Sequence, residues 1–224
     1  MSAADHFNNI AKNYDSYKRR SWYYYAELKS LLSSLIPPHN KVLEFGCGTG
    51  DLLYHLNPSH GVGIDISSGM IRIAKSKYSN HRNLKFMILS RFNASLPHAK
   101  YQYIFLSDVI EHLDDVKAAF RLLSSHMSKS TKLICTMANP IWEPILMIAE
   151  RLGLKMPEGP HHRIKFSEIR QILQKQKLQV IEHDHRLLAP IWIPSLSWVI
   201  NKLLFPYLRK YGFITYFVAV KEDF

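Results

Sequence analysis

Cysteine is almost absent from this chain: Cys47 and Cys135 are the only two. Each lies in an apolar stretch, so both read as buried reduced thiols, and a disulfide framework or a cysteine-based zinc site is excluded. Long hydrophobic runs are absent too. The longest uncharged stretch, Leu187 to Asn201, has 15 residues, is broken by Pro190 and Pro194, and falls short of the ~20 that span a bilayer. An integral membrane protein is disfavoured. Acidic residues are scarce, with 18 Asp and Glu against 29 Lys and Arg, a formal net charge of +11. That excess favours an anionic partner such as nucleic acid, phospholipid or a phosphorylated substrate, without choosing among them. The opening residues Met1 to His6 lack a basic region followed by an apolar run, so no secretory signal is read there and a cytoplasmic location is expected.

Hydrophobic residues at 47% and charged residues at 21% suit a globular protein rather than a disordered or coiled-coil one. The 224 residues are read as one domain, 1–224: a helical arm or lid over 1–40, a ligand-binding core over 41–186, an apolar insertion over 187–210 and a final strand over 211–224. From residue 41 onward, short β-rich runs alternate with helical periods, which predicts a mostly parallel sheet covered by helices. Strands are expected at Lys41–Phe45, Gly61–Asp65, Leu84–Leu89, Tyr101–Leu106, Lys132–Met137, Leu178–His183 and Phe213–Lys221. Helices are expected within Phe7–Ile36, from Asp51, over Ser68–Lys77, from Val109 to about Met127, over Pro144–Leu152, and from a cap at Ser167. Right-handed crossovers put the binding loops at the carboxyl ends of the strands.

The most informative stretch is Val42-Leu43-Glu44-Phe45-Gly46-Cys47-Gly48-Thr49-Gly50-Asp51. Glycines at a strand-to-helix turn allow a ligand to approach the backbone closely. The spacing is Gly-x-Gly-x-Gly, not the Gly-x-Gly-x-x-Gly of a dinucleotide cradle, and Glu44 stands just before it. A carboxylate there repels a pyrophosphate and suits an ammonium or sulfonium group. Fifteen residues past Gly50, Asp65 falls at the end of the second strand, where a carboxylate accepts hydrogen bonds from both ribose hydroxyls. Together these favour a cationic nucleoside.

At this point the sequence resembles the class I S-adenosylmethionine-dependent methyltransferases. The resemblance rests on the block around Gly46, on Gly63-Ile64-Asp65-Ile66-Ser67 with Met70, and on Ile104-Phe105-Leu106-Ser107-Asp108-Val109-Ile110-Glu111-His112-Leu113. It implies a Rossmann-like sheet of seven strands with helices on both faces, and S-adenosyl-L-methionine as cofactor. It also implies cofactor contacts from Tyr14, Glu44, Gly46, Cys47, Gly48, Asp65, Ile66, Met70, Ser90, Ser107 and Asp108. Glu44 is expected to hold the ammonium group directly or through water, Asp65 the ribose, and Ile66 and Met70 the adenine. The chain departs from the family after the third strand, where Leu89-Ser90-Arg91-Phe92-Asn93 lacks the usual acidic residue; Ser90 or a backbone amide is assigned its place.

On the acceptor side, His112 is the residue assigned as general base or substrate contact, against the alternative of a histidine filling a groove. Asp108, Glu111 and His112 stand at i, i+3 and i+4, similar to a divalent-metal arrangement in some quinone-type O-methyltransferases. Asp108-x-x-Glu111 is also a capping-box pattern, and that reading, without a metal, is preferred. Asn139-Pro140-Ile141-Trp142 follows the fifth strand, out of position for the Asn-Pro-Pro-aromatic signature of amine-methylating enzymes, yet its loop is expected to border the acceptor pocket.

The arm Asn13 to Tyr25 mixes aromatics with Lys18, Arg19 and Arg20. Either it closes over the cofactor, with Tyr14 above it and Arg19 or Arg20 meeting an anionic acceptor, or it is a packed helix with a solvated face. The insertion, 187–210, is read as an interfacial membrane segment, a pocket cap or a dimer contact. The segments Trp142-Glu143-Pro144 and Arg151 to Pro157 look like those of bacterial methyltransferases from glycan or lipid-carrier pathways. The expectation is therefore methyl transfer to an oxygen of a small, glycan-like or lipid-linked acceptor, by a cytoplasmic enzyme that either stays free or sits at the inner membrane face. RNA or protein methylation and a non-catalytic binding protein are the alternatives; nucleic acid is not favoured for want of a recognition module.

Overall fold

The computed structural model describes residues 2–89, 100–157, 159, 161–162 and 164–222. Its strands are β1 (Lys41–Phe45), β2 (His60–Asp65), β3 (Leu84–Ile88), β4 (Tyr103–Ser107), β5 (Lys132–Ala138), β6 (Leu178–Arg186) and β7 (Ile214–Lys221). They form one sheet in the order β3-β2-β1-β4-β5-β7-β6. Only β7 runs antiparallel to its neighbours. After β1 the chain winds outward through β2 and β3, then returns to lay β4 on the other side of β1. That reversal opens a crevice beyond the carboxyl ends of β1 and β4.

Period-two alternation sends side chains to two layers. Leu43, Phe45, Ile104, Leu106, Leu133 and Cys135 pack with Phe120 and Leu123 of α5 (Val116–Ser125) and Ile169 and Leu173 of α7 (Phe166–Lys175). Val42, Phe105 and Ile134 face the other way, onto Leu28 and Leu32 of α2 (Trp22–Leu35), Leu53 of α3 (Asp51–His55) and Ile71 of α4 (Ser68–Lys77). Both thiols are free and buried, and burial pushes their ionisation well above the usual thiol range.

Three expected elements differ. The arm is two helices, α1 (Ala3–Arg20) and α2, broken at Ser21. The helix expected from Val109 begins as a single 3-10 turn, Ile110–His112, followed by a break; α5 starts at Val116, where the Asp115 carboxylate accepts the Ala118 N–H at 2.8 Å. Two consecutive aspartates prefer a cap to a helix interior. Ser167 caps nothing: α7 already begins at Phe166, whose ring stacks on His183 at 3.8 Å, and no side chain caps it.

The apolar insertion is internally tied. Asn201 accepts the Leu188 and Ala189 N–H groups at 2.7 and 2.8 Å and donates to the Ala189 carbonyl and the Tyr23 hydroxyl, both at 3.1 Å. Ser197 accepts the Ile193 N–H and donates to the Ile191 carbonyl. Trp142, just before α6 (Glu143–Arg151), donates its ring N–H to the Tyr211 carbonyl at 2.8 Å.

Candidate active site

One cavity of about 700 Å³ occupies the crevice. Its floor is the turn after β1. Gly46 and Gly48 have φ of +78° and +50°, conformations that cost a side-chain-bearing residue strain. A Cβ on Gly46 would stand 2.3 Å from Val109, and one on Gly48 would stand 3.2 Å from the Tyr14 ring. The turn is pinned by the Gly46 and Cys47 N–H groups, which both donate to the Ile64 carbonyl at 2.8 and 2.9 Å.

Asp65 braces this floor from β2. One carboxylate oxygen accepts the Gly48 N–H at 2.7 Å and the other the Ser67 N–H at 2.8 Å. Burial pushes its carboxyl up, against those two amides. Glu44 lies deeper, 2% exposed, and accepts the Leu53 N–H of α3 at 3.1 Å. Burial drives its carboxyl well above the usual carboxylate range, opposed by the nearby Lys18 ammonium. Lys18 itself is depressed by burial, against the pull of Asp51 and Glu44, and pairs with Asp51 at 3.4 Å. A desolvated carboxylate is costly unless a cation or donors face it.

Helix α1 roofs the cavity. Asn8 accepts the Ser67 hydroxyl and the Gly69 N–H, both at 2.8 Å. One turn short of the other end of the roof, Asp15 accepts the Thr49 hydroxyl at 2.6 Å and Lys77 at 2.8 Å. Residues 8 and 15, at i and i+7, share a helical face, so two latches hold α1 across the glycine turn and α4. Phe7, Tyr14 and Lys18 line the space beneath.

The structure brings Tyr14, Glu44, Gly46, Cys47, Gly48, Asp65, Ile66, Met70, Ser107, Asp108 and His112 around this one cavity. Ser90 lies outside the described residues. Asp108 is not a cap. With φ of +53° it turns back under α2, and its carboxylate accepts the Tyr24 hydroxyl and, at 3.4 Å, the Thr136 hydroxyl; the 3-10 turn that follows has no side-chain cap. Burial and then the Asp108 charge push the Tyr24 phenol well up. His112 sits on that turn, its ring edge-to-face with Phe7 at 5.2 Å and 6.5 Å from the His161 ring.

The loop after β5 borders the cavity through Trp142, while Asn139 itself does not line it. Asn139 is buried, donating to the Lys210 and Gly212 carbonyls at 3.1 and 2.9 Å, so it stitches the end of β5 to the start of β7. The arm combines its two readings: Tyr14 lines the cavity, while Arg19 and Arg20 are exposed at the end of α1 and outside the cavity lining. Lys18, Tyr24, Tyr25, Asn8 and Asp15 were missed. Their spacing on α1 and α2 shows a face, but nothing local says what that face covers.

The cavity has two characters. Its lining includes the buried or half-buried carboxylates Glu44, Asp65 and Asp108 and an apolar set, Trp142, Ile145, Leu146, Leu154, Met156, Pro190 and Ile191, alongside the exposed Asp114 and Asp115. The buried or half-buried carboxylates and the glycine cradle, which a Cβ would fill, fit a cationic nucleoside.

Residues 14–183 match the model of the methyltransferase domain. The malonyl-[acyl-carrier protein] O-methyltransferase 1 of Ilyobacter polytropus is 28% identical over 176 residues, which are 75% of this chain and 64% of that protein, less than two thirds of its length. A ubiquinone biosynthesis O-methyltransferase of Rhodopseudomonas palustris is 25% identical over 175 residues, 73% of this chain and 69% of that one. Among solved structures, magnesium protoporphyrin IX methyltransferase from Synechocystis with bound SAH aligns with a TM-score of 0.63 at 18% identity, covering 98% of both chains. The chain belongs to the methyltransferase-domain family, the S-adenosylmethionine-dependent methyltransferases of Rossmann-like fold.

Proposed function

We propose that this protein methylates an oxygen of a small acceptor that is apolar or lipid-linked, and that His112 is the base that takes the hydroxyl proton. The observation that carries this reading is that buried or half-buried carboxylates, His112 and a set of apolar side chains all line one cavity. The two relatives named above are O-methyltransferases by name. S-adenosylmethionine supplies an activated methyl group and a neutral leaving group, so alignment and exclusion of water can supply much of the catalysis.

Asp65 would hold the ribose, with Ile66 and Met70 beside the adenine. Gly46, Cys47 and Gly48 would pass under the methionine portion, Glu44 would face its ammonium group, and Tyr14 would close over it from α1. Ser107 and Asp108 complete the inner wall. A small-molecule acceptor would enter through the mouth and bring its hydroxyl to His112, whose ring Phe7 holds edge-on.

Glu44 and Asp65 have raised affinity for protons in the folded protein. Their contribution to stability is therefore present at low pH and lost as pH rises from the ordinary carboxylate range through the raised values. A cation entering beside them favours the charged forms and expels protons. Calorimetry in two buffers of different ionisation enthalpy is expected to register proton release on S-adenosylmethionine binding, with affinity rising with pH across that window. No buffer dependence would mean that neither carboxyl changes its charge.

For His112, labelled methyl from the cofactor is followed into lipid and water-soluble fractions of a cell extract. His112→Ala is expected to lower turnover by roughly 10²- to 10⁴-fold with cofactor affinity unchanged. Full turnover by His112→Gln would remove the base from the proposal, and label confined to water-soluble products would remove the apolar acceptor.

A further inference from the structure

The mouth of the cavity is surrounded by an apolar surface that the fold leaves uncovered. Ile141, Ile145, Ile148 and Leu152 recur at helical spacing along the turn before α6 and along α6 itself, and all four are more than half exposed. Ile145, Leu154 and Ile191 are exposed and line the cavity. The insertion continues the surface with Trp192, Trp198, Leu203 and Leu204, ending at Tyr207, which is 87% exposed. Trp192 packs on Trp22 and Tyr23 of α2 at 5.9 and 5.3 Å, so the collar is seated on the body of the protein. Exposed apolar area of this extent, gathered at one opening, marks a contact surface.

The insertion's own charge has one sign, although Glu143 and Glu150 lie on α6 and Arg209 pairs with Asp184. Between Leu187 and Gly212 there is no Asp or Glu, while Lys202, Arg209 and Lys210 are present. Lys202 lies over the Trp198 ring at 5.9 Å and Lys210 over the Tyr211 ring at 5.0 Å. Aromatic rings bordered by lysines, next to aliphatic side chains, match the layered polarity of a bilayer interface, where ammonium groups meet lipid phosphates and apolar tips enter the acyl region. A second copy of the chain would bring this cationic segment against itself. Among the described residues no helix is long and apolar enough to cross a membrane, so contact through this collar is peripheral.

We infer that the collar formed by α6 and residues 191–208 docks the protein on an anionic phospholipid surface with the cavity mouth facing the lipid. This deepens the apolar-acceptor reading and rests on it for its purpose: a lipid-linked hydroxyl would pass from the bilayer to His112 without crossing water. The docking itself is measured without donor or acceptor, so the two can fail separately.

The test is flotation of the full chain with phosphatidylcholine vesicles, with and without phosphatidylglycerol, at low and high salt. The intact protein is expected to associate on the order of tenfold more with the anionic vesicles, and less in high salt. Ile148→Glu/Leu152→Glu in α6 and, independently, Tyr207→Glu in the insertion are each expected to cut that association by on the order of tenfold. Undiminished S-adenosylmethionine binding by calorimetry shows that each variant is folded. Protein that binds the cofactor yet floats with neither vesicle overturns the inference, as does association that both variants retain. A concentration-dependent dimer abolished by the same substitutions, with no vesicle binding, would assign the face to a second copy. Methyl transfer to a soluble acceptor without flotation would overturn the docking and leave the enzyme assignment standing.

Discussion

Replacing Asp65 with alanine is expected to weaken S-adenosylmethionine binding on the order of a hundredfold, the largest effect of any single polar substitution in the cavity. Two consequences combine. In the proposed role of Asp65 the cofactor would lose a carboxylate acceptor, and the Gly48 and Ser67 N–H groups, now held at 2.7 and 2.8 Å, lose theirs. Hydrogen bonds to a charged group contribute about 1.5–3 kcal/mol each, and about 3 kcal/mol in total corresponds to roughly two decades of affinity. Part of the loss is preorganisation of the glycine turn, so Asp65→Asn, which keeps an acceptor oxygen, is expected to fall between the two. Calorimetric titration reads both. An unchanged dissociation constant for Asp65→Ala would take Asp65 out of the cofactor site.

The second large effect is on stability. Gly46→Ala puts a methyl group 2.3 Å from a Val109 methyl and asks a non-glycine residue to hold φ of +78°. Overpacking costs about 1–3 kcal/mol and the backbone conformation roughly another 1. A total of about 3 kcal/mol lowers the midpoint of thermal unfolding by roughly 6–12 °C in a chain of this size. The same change shifts the floor of the cavity, so the folded fraction is expected to bind cofactor poorly as well. A melting temperature within a degree or two of the parent would show that Val109 and the turn relax without cost. Gly153, whose φ is also positive but with open space around it, isolates the backbone contribution: Gly153→Ala is expected to cost the smaller part alone.

The contrast between Asp65 and Asp108 shows what local sequence can carry. Asp65 ends a strand one residue before a turn, and its partners, Gly48 and Ser67, belong to the two loops that the strand-helix rhythm already places side by side. Asp108 follows the last residue of β4, and Asp-x-x-Glu reads as a cap. Its carboxylate instead answers a tyrosine 84 positions earlier. A buried phenol needs a partner, and a helix that packs across the crevice outcompetes the local cap. Asn139 repeats the lesson: its side chain closes the loop from β7, more than 70 residues away, because buried backbone carbonyls must be satisfied wherever the chain places them.

By itself, the sequence determined the alternating strands and helices, the glycine turn, and the two carboxylates that end or nearly end β1 and β2, because period and turn chemistry act over a few neighbouring residues. Only the tertiary structure decided that α1 lies over that turn, latched by Asn8 and Asp15, that Lys18 faces inward while Arg19 and Arg20 do not, and that α6 and the insertion meet around one opening. Each of those contacts joins segments far apart in the chain. Their partners are chosen by the packing and desolvation of the assembled molecule, which no local pattern encodes.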